Sequence, residues 1–398
     1  MRSRRLDIVN TRGEKLSARY ELPLHGRAKS FALVAHCFTC SKDFNALRAI
    51  ARAMTHVGIG VVRFDFTGLG QSEGEFGETT FSTNVDDLVQ AAAHVEEELG
   101  PVELLAGHSL GGAAAIMAAA KLESVKAVAT IGAPSEPVHV KGQFRSGVEE
   151  IRKKGEAVVE IAGRPFTVRE EFLDDLESTG MRDVLGELEK PLLILHAPED
   201  RIVNIDHAGR IFRAARHPKS FVALDGADHL LSDQDQAKYV GRLIGSWARR
   251  YVSVESAEDW REDSETGRVA ACTEEELRSE VIAGGFRLEA DEPRERGGTD
   301  EAPGPHDYLS AGLASCMSIT ARMYADRKEW PMEAITVDVD YEAVDEDDEK
   351  RDRFHCRVRI EGDLSEEQRR RITEIASRCP VHRTLERGAK IETELEGQ

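Results

Sequence analysis

The chain predicts a mostly parallel β-sheet with helices on both faces and a small cap, followed by a second, smaller α+β domain. Three observations predict this. Apolar strands alternate with helical stretches through the first 250 of the 398 residues, the grammar of a parallel sheet with right-handed crossovers. A G-x-S-x-G sequence sits at one strand-to-helix turn. Beyond a polar boundary at 253–264 the pattern changes, and the length itself favours two domains. The expected units are 1–252, with a cap at about 136–188, and 265–398.

Composition narrows the function classes. A formal net charge of −20 argues against nucleic acid and anionic membrane surfaces as partners. No apolar run reaches the roughly 18 residues of a membrane helix. The basic start Met1-Arg2-Ser3-Arg4-Arg5 is followed by Leu6-Asp7-Ile8, which is no secretory h-region. Six cysteines without close regular spacing predict no disulfide framework, and a reducing cytoplasm is expected. Cys37-x-x-Cys40 has redox or zinc spacing, but a zinc site needs a second ligand pair and none stands out. No metal or cofactor is expected.

The elements follow in order. Residues 5–23 alternate around Arg12-Gly13-Glu14-Lys15 and predict an antiparallel hairpin. Phe31–Ala35 is a continuous apolar run suited to a strand buried on both faces. A helix over 44–57, a strand over Gly60–Asp65 and a helix over 81–98 come next. Further strands are expected at Val102–Gly107, Lys126–Ile131, Pro191–His196 and Ser220–Leu224. Between 136 and 188 charged helical stretches flank Val158–Val168, a hairpin with its turn at Gly163. This insertion is read as a cap over the sheet's C-terminal edge, where ligands sit in such folds, and the acyl pocket is expected to depend on it. A last helix over 239–251 has Tyr239, Val240, Leu243, Ile244 and Trp247 as its inner face.

Chemistry concentrates at Gly107-His108-Ser109-Leu110-Gly111-Gly112. A sharp turn lifts a serine hydroxyl clear of the sheet, flanking glycines remove side chains that would clash, and the following helix offers N–H groups to a developing oxyanion. Asp200 and His229 each follow a strand, so the chain order is Ser, Asp, His. Asp225 and Asp228 lie on the loop of His229 itself and are weaker candidates for the acid. His36, His108 and His196 flank strand ends and are read as packed histidines rather than bases.

Residues 1 to about 250 therefore resemble an α/β-hydrolase of the serine esterase type. The resemblance implies the α/β-hydrolase fold, Ser109, His229 and Asp200 as nucleophile, base and acid, and the N–H groups of Leu110 and Phe38 as the oxyanion hole. His36-Cys37-Phe38 stands where the family usually has His-Gly-X, so Cys37 is a departure. Asp65-Phe66-Thr67-Gly68-Leu69-Gly70-Gln71-Ser72 matches a family signature read as structural. A carboxylesterase is expected, with thioesterase or peptidase chemistry as alternatives and a pure binding protein as a remoter one.

In the second domain Arg268–Cys272 and Gly285–Ala290 read as short strands. A loop from Glu292 to Pro305 leads to a long helix from about Asp307 to Lys328, on which Leu309, Leu313, Cys316, Thr320 and Met323 share a face. Strands over 335–343 and 354–361 flank the acidic turn Asp345–Glu349. Ser365-Glu366-Glu367-Gln368 is a capping-box start for a helix that ends at Cys379-Pro380-Val381-His382. On pattern alone, Cys316 and Cys379 are as compatible with core thiols as with reactive ones.

Residues from about 265 onward resemble the OsmC/Ohr group of thiol-dependent hydroperoxide reductases. The motifs are Gly304-Pro305-His306-Asp307-Tyr308-Leu309-Ser310-Ala311-Gly312-Leu313-Ala314-Ser315-Cys316 and Cys379-Pro380-Val381-His382. The resemblance implies a peroxide-reactive Cys316, a resolving Cys379, a dithiol reductant, organic hydroperoxide substrates and an intertwined homodimer. His306 stands where many members carry a Glu that orients an activating arginine, and Arg287 is the candidate for that arginine. A non-catalytic dimerisation module is the alternative.

Overall fold

The computed structural model describes residues 2–23, 27–161, 163–254, 269–273, 277–284, 286–346 and 349–395. The chain forms two compact units, Met1–Arg268 with Gly284–Phe286, and Val269–Ala283 with Arg287–Gln398. Most of the expected linker, and parts of the turns at Gly163 and Asp345–Glu349, lie outside the described residues.

The first unit is built on an eight-stranded sheet. Its strands are β1 (Arg2–Val9), β2 (Lys15–Leu22), β3 (Phe31–Ala35), β4 (Gly60–Phe64), β5 (Val102–His108), β6 (Ala127–Ile131), β9 (Leu192–His196) and β10 (Lys219–Ala223), in spatial order β1-β2-β4-β3-β5-β6-β9-β10. β1 and β2 form the expected hairpin, β2 runs antiparallel to β4, and every later pairing is parallel. The buried strands are apolar throughout because both faces are covered. Leu33, Val62, Leu105 and Val128 point to one core, with α2 (Phe81–Glu98) and α3 (Leu110–Ala119). Their neighbours Ala32, Val61, Leu104 and Ala127 point to the other, with α1 (Asn45–Thr55) and α8 (Gln234–Ala248). This is the two-residue period of a strand, with an apolar side chain on both beats.

The insertion after β6 folds as a 3₁₀ segment (Pro137–Phe144), α4 (Arg145–Lys154), the hairpin β7 (Glu156–Ile161) and β8 (Arg164–Arg169), α5 (Glu170–Ser178) and α6 (Arg182–Glu187). Phe144, Ile151, Val159, Phe172 and Leu176 join the core on the α2–α3 face. The cap is thus continuous with the fold's interior. Helix α7 (Asp206–Ala214) lies between β9 and β10.

Two features of α8 differ from expectation. It starts five residues earlier, because the Asp233 side chain accepts the Asp235 N–H and caps it. Tyr239 is exposed; the buried face is Ala237, Val240, Gly241, Ile244, Gly245 and Ala248, and the expected Leu243 and Trp247 pack half-buried against the same core.

A buried charge cluster underlies β4. Arg63 is 2% exposed, and its Nη2 donates to Glu21 Oε1 at 2.6 Å, while Nη1 donates to the Lys42 carbonyl. The Lys42 ammonium, also buried, donates to Asp65 Oδ2 at 2.7 Å.

The second unit contains a three-stranded sheet of β11 (Val269–Thr273), β12 (Ser279–Ala283) and β13 (Phe286–Ala290), of which β12 is unexpected. A long hairpin follows, β14 (Met332–Glu346) with β15 (Glu349–Gly362), together with α9 (Pro305–Arg327), α10 (Glu366–Ala376) and α11 (Pro380–Arg387). The capping box at Ser365 is present. Cys379 does not end a helix: it is the N-cap of α11, which the sequence reading missed. The buried face of α9 is Leu313, Met317, Ala321 and Ala325. Leu309, Ile319 and Met323 form a separate exposed stripe, so the predicted single face merges two. No described helix is long and apolar enough to cross a membrane.

Replacing Arg63 by Met leaves Glu21 buried and unpaired, and urea unfolding is expected to show a loss of about 3–5 kcal/mol. The double variant Arg63→Met/Glu21→Met should lose distinctly less.

Candidate active site

Ser109 follows β5 and is the N-cap of α3, with φ 55° and ψ −126°. This unusual backbone holds because the neighbouring glycines let strand, turn and helix approach. A Cβ on Gly107 would lie 2.2 Å from the Gly111 carbonyl oxygen, and one on Gly111 would lie 2.3 Å from that of His36. The second contact brings the start of α3 against the loop after β3, so Leu110 and Phe38 come from two elements to line one pocket.

His229, in the loop after β10, and Asp200, in the loop after β9, complete the arrangement. His229 Nδ1–H donates to Asp200 Oδ2 at 2.6 Å, and His229 Nε2 accepts from Ser109 Oγ at 3.0 Å. The second Asp200 oxygen accepts the Ile202 and Val203 N–H groups at 2.8 and 2.9 Å. Burial alone would push the Asp200 carboxyl up, but the His229 hydrogen bond and charge and the two backbone N–H groups outweigh it and hold it below its ordinary value. The carboxylate is ionised and fixes one imidazole tautomer, with the free lone pair facing the hydroxyl. The weaker acid candidate Asp228 instead accepts from the Ser232 N–H and hydroxyl.

The other strand-end histidines are hydrogen-bonded elsewhere. His108 Nε2–H donates to the His229 carbonyl at 2.6 Å, and His196 Nε2–H to the Val203 carbonyl at 2.7 Å. Both bonds support loops that carry members of the trio. His36 Nδ1–H donates to the Cys37 carbonyl at 2.8 Å, and its Nε2 accepts the Phe66 N–H at 3.3 Å.

Several supports were not apparent in the sequence. His139, in the cap's 3₁₀ segment, donates Nε2–H to the Ile202 carbonyl at 3.0 Å, tying the cap to the acid loop. Its ring meets that of His207 edge-on at 4.3 Å, and His207 Nδ1 lies 2.9 Å from the Ser135 hydroxyl. Asp65, the first residue of the signature read as structural, accepts the Lys42 N–H at 2.6 Å, the Lys42 ammonium, and the Gln71 N–H at 2.9 Å. It therefore holds the loop after β3 from below. Cys37 and Cys40 form a disulfide, the redox form of that spacing. The described residues contain no group of three or more side chains suited to a metal.

A small pocket lies beside this loop, lined by His36, Cys37, Phe38, Phe66, Leu69, Phe76, Asn84, Leu110, Gly111 and Ala114. Its walls come from the sheet unit's own loops and helices rather than from the cap. The cap acts one layer out: Phe172 stacks on Phe38 at 5.6 Å and Phe166 packs on Phe76 at 5.0 Å.

In the second unit, Cys316 on α9 and Cys379 at the start of α11 are free thiols, and Cys316 packs against the apolar cluster that buries Cys379. Cys379 Sγ accepts the His382 N–H at 3.4 Å. Burial pushes the Cys379 thiol up and the Cys316 contact adds to this, while the His382 and Val381 N–H groups oppose it. Arg287 is paired with Glu280 of β12 at 3.1 Å. His306 lies flat against Tyr341, ring centres 4.4 Å apart and planes at 15°.

A doubly wound sheet with a serine elbow bonded through histidine to aspartate is the arrangement of an α/β hydrolase. The chain belongs to that family: the alpha/beta hydrolase family model matches residues 24–242, and the model for OsmC-like proteins matches 298–394. Among solved structures, the esterase domain from a Rhodothermus marinus protein is 47% identical, with a TM-score of 0.54 over 64% of this chain and 100% of that one. Est1E from Butyrivibrio proteoclasticus is 17% identical, with a TM-score of 0.52 over 62% of this chain and 98% of its own, and shows the fold alone. Monoglyceride lipase of Rattus norvegicus is 34% identical over 116 residues, 29% of this chain and 37% of the lipase. Lysophosphatidylserine lipase ABHD12 of Danio rerio is 26% identical over 176 residues, 42% of this chain and 43% of that protein. The chain thus spans under half the length of either lipase.

The buried His108 imidazole is held down from 6.5 to about 3, first by burial and then by the neighbouring His229. The unfolded chain takes up this proton near 6.5, so stability that is full above that value is lost progressively as pH falls from 6.5 towards 3. Urea midpoints at about pH 7 and about pH 5 should show the loss, and His108→Gln, which keeps a donor for the His229 carbonyl, should reduce it.

Proposed function

We propose that the first unit is a serine carboxylesterase, and the hydrogen-bonded run from Ser109 through His229 to Asp200 is the observation that carries this reading. His229 Nε2 takes the serine proton as Oγ attacks the ester carbonyl. The oxyanion accepts from the Phe38 and Leu110 N–H groups, the imidazolium protonates the departing alcohol, and water then releases the acid from the acyl-enzyme. The esterase domain from Rhodothermus marinus and the two lipases all bear names of ester-cleaving proteins, which supports an ester over a thioester or peptide.

For the second unit we propose thiol-dependent reduction of organic hydroperoxides. The Cys316 thiolate attacks the O–O bond and the alcohol leaves, so that sulfur becomes a sulfenic acid. The Cys379 thiol displaces water from it to form a disulfide, and an external dithiol restores both thiols. The packing of Cys316 against the cluster that buries Cys379 supports this, and a resolving thiol that burial keeps protonated is suited to waiting for the sulfenic acid. The stripe of Leu309, Ile319 and Met323, which are 48%, 59% and 67% exposed, supports pairing with a second copy. Two observations favour the non-catalytic alternative: His306, in the position of the family's Glu, is stacked on Tyr341, and Arg287 is paired with Glu280.

Full-length wild type, Ser109→Ala, Asp200→Asn and Cys316→Ser would be assayed for p-nitrophenyl ester hydrolysis and for dithiol-dependent hydroperoxide consumption. Ser109→Ala and Asp200→Asn are expected to lower only the first, Asp200→Asn by roughly 10⁴-fold and Ser109→Ala by roughly 10⁶-fold in kcat. Cys316→Ser should abolish only the second. Ester hydrolysis that survives Ser109→Ala would refute the serine mechanism. Absence of hydroperoxide consumption in the wild type would leave the second unit as a dimerising module.

A further inference from the structure

The peptide between Cys37 and Phe38 is held more tightly than a loop peptide needs to be. Its carbonyl accepts two hydrogen bonds, from His36 Nδ1–H at 2.8 Å and from the Cys40 N–H at 3.1 Å. A peptide is planar with its N–H trans to its carbonyl, so fixing the oxygen fixes the direction of the Phe38 N–H. The Cys40 bond closes a four-residue turn, Cys37 to Cys40, whose third residue is Thr39 at φ +65°. That position of such a turn suits glycine and disfavours a β-branched residue. The Cys37–Cys40 disulfide clamps the two ends of this turn. Immediately beyond it, the buried Lys42 fastens the chain to Asp65 through both its backbone N–H and its ammonium.

We infer that the Cys37–Cys40 disulfide positions the Phe38 N–H towards the oxyanion, and that a dithiol which opens the bridge turns ester hydrolysis down. The inference rests on the serine-esterase reading above. Reduction is balanced by the dithiol. Its thiolate attacks Cys40 Sγ, the sulfur of the half-exposed residue, and the buried Cys37 leaves as a thiolate. The dithiol's second thiol then displaces Cys40, which yields two cysteine thiols and one cyclic disulfide for two electrons transferred. Without the bridge, the turn keeps only the His36 bond to the Cys37 carbonyl and the Arg164 guanidinium bond to the Thr39 carbonyl, and the strained Thr39 backbone relaxes from the left-handed region, shifting the Phe38 N–H with the turn. Lys42 still anchors the far side, so the loss is confined to the turn and the fold persists.

The experiment uses the full chain, and Ser109→Ala serves as the check on the underlying mechanism. Wild type is assayed for p-nitrophenyl ester hydrolysis before and after excess dithiothreitol, and again after reoxidation with diamide. Alkylation and mass spectrometry report the state of Cys37 and Cys40, and far-UV circular dichroism reports the fold. The expected result is a reversible fall in kcat of at least about tenfold with KM unchanged, bounded by the 10²–10³ lost when an oxyanion donor is removed outright. Cys40→Ala should start at the reduced rate and ignore dithiothreitol. Thr39→Gly/Cys40→Ala should recover kcat, because glycine adopts the turn without a clamp.

If Ser109→Ala stays active, the serine mechanism fails. If Ser109→Ala is inactive while reduced wild type and Cys40→Ala keep full kcat, only the positioning role fails. A bridge that resists dithiothreitol, or a dithiothreitol effect that persists in Cys40→Ala, overturns the gate. Should Cys40→Ala not fold, the reversible wild-type measurement decides by itself.

Discussion

The arrangement at the hydrolase site depends on how closely strand β5, the serine turn and helix α3 can approach one another. Cβ atoms on Gly107 and Gly111 would fall 2.2 and 2.3 Å from backbone carbonyl oxygens, far inside contact distance. Only with those side chains absent can Ser109 hold φ 55° at the mouth of the sheet, with α3 starting at the next residue. The same approach seats α3 against the loop after β3, and it lets Ser109 meet an imidazole delivered from the far side of β9 and β10. Three loops at the strand ends then need holding in place, and buried polar bonds do this. His108 supports the His229 backbone, His196 and His139 support the acid loop, and Lys42 with Asp65 supports the loop of Phe38.

How much of this could be read from the residues follows from the range of the physics involved. The parallel sheet, α2, the cap hairpin and the order of Ser109, Asp200 and His229 were legible, because apolar runs and turn glycines are local signals. The Arg63–Glu21 and Lys42–Asp65 pairs were not, because a buried charge pair between residues far apart in the chain leaves no periodic trace. Cys37-x-x-Cys40 was legible as a pair but not as a bridge. On α9 the reading failed for a different reason. The helix carries one apolar stripe through Leu313, Met317 and Ala321 and a second through Leu309, Ile319 and Met323, with Cys316 beside them, and periodicity alone averages the two. β12 escaped because Ser279-Glu280-Val281-Ile282-Ala283 is only half-buried and lacks a clean alternation.

The four cysteines discussed above divide by how the chain brings them together. Cys37 and Cys40 are three residues apart, so their bridge closes a minimal loop and constrains the unfolded chain little. Its effect is on the shape of one turn. Cys316 and Cys379 are brought into one apolar cluster only by the packing of α9 against α11, so their proximity reports that the second unit is folded. A bridge between them would cross-link the fold; the bridge between the first pair tunes a single backbone N–H.

Each unit places one candidate site residue at the start of a helix, Ser109 before α3 and the proposed resolving Cys379 before α11. Unpaired N–H groups and the positive end of the dipole favour negative charge there. The two backbones use this differently. At Ser109 the positive φ turns the hydroxyl towards His229 and away from the helix N–H groups. At Cys379 the backbone is extended, with φ −63° and ψ 157°, and the sulfur itself receives the His382 N–H. In the proposed esterase mechanism the first geometry leaves the helix N–H groups for a transition state, whereas the second gives one of them to the resting side chain. That difference follows from one dihedral angle at the N-cap, and it suits an acyl-transfer site in one unit and a thiol waiting for its partner in the other.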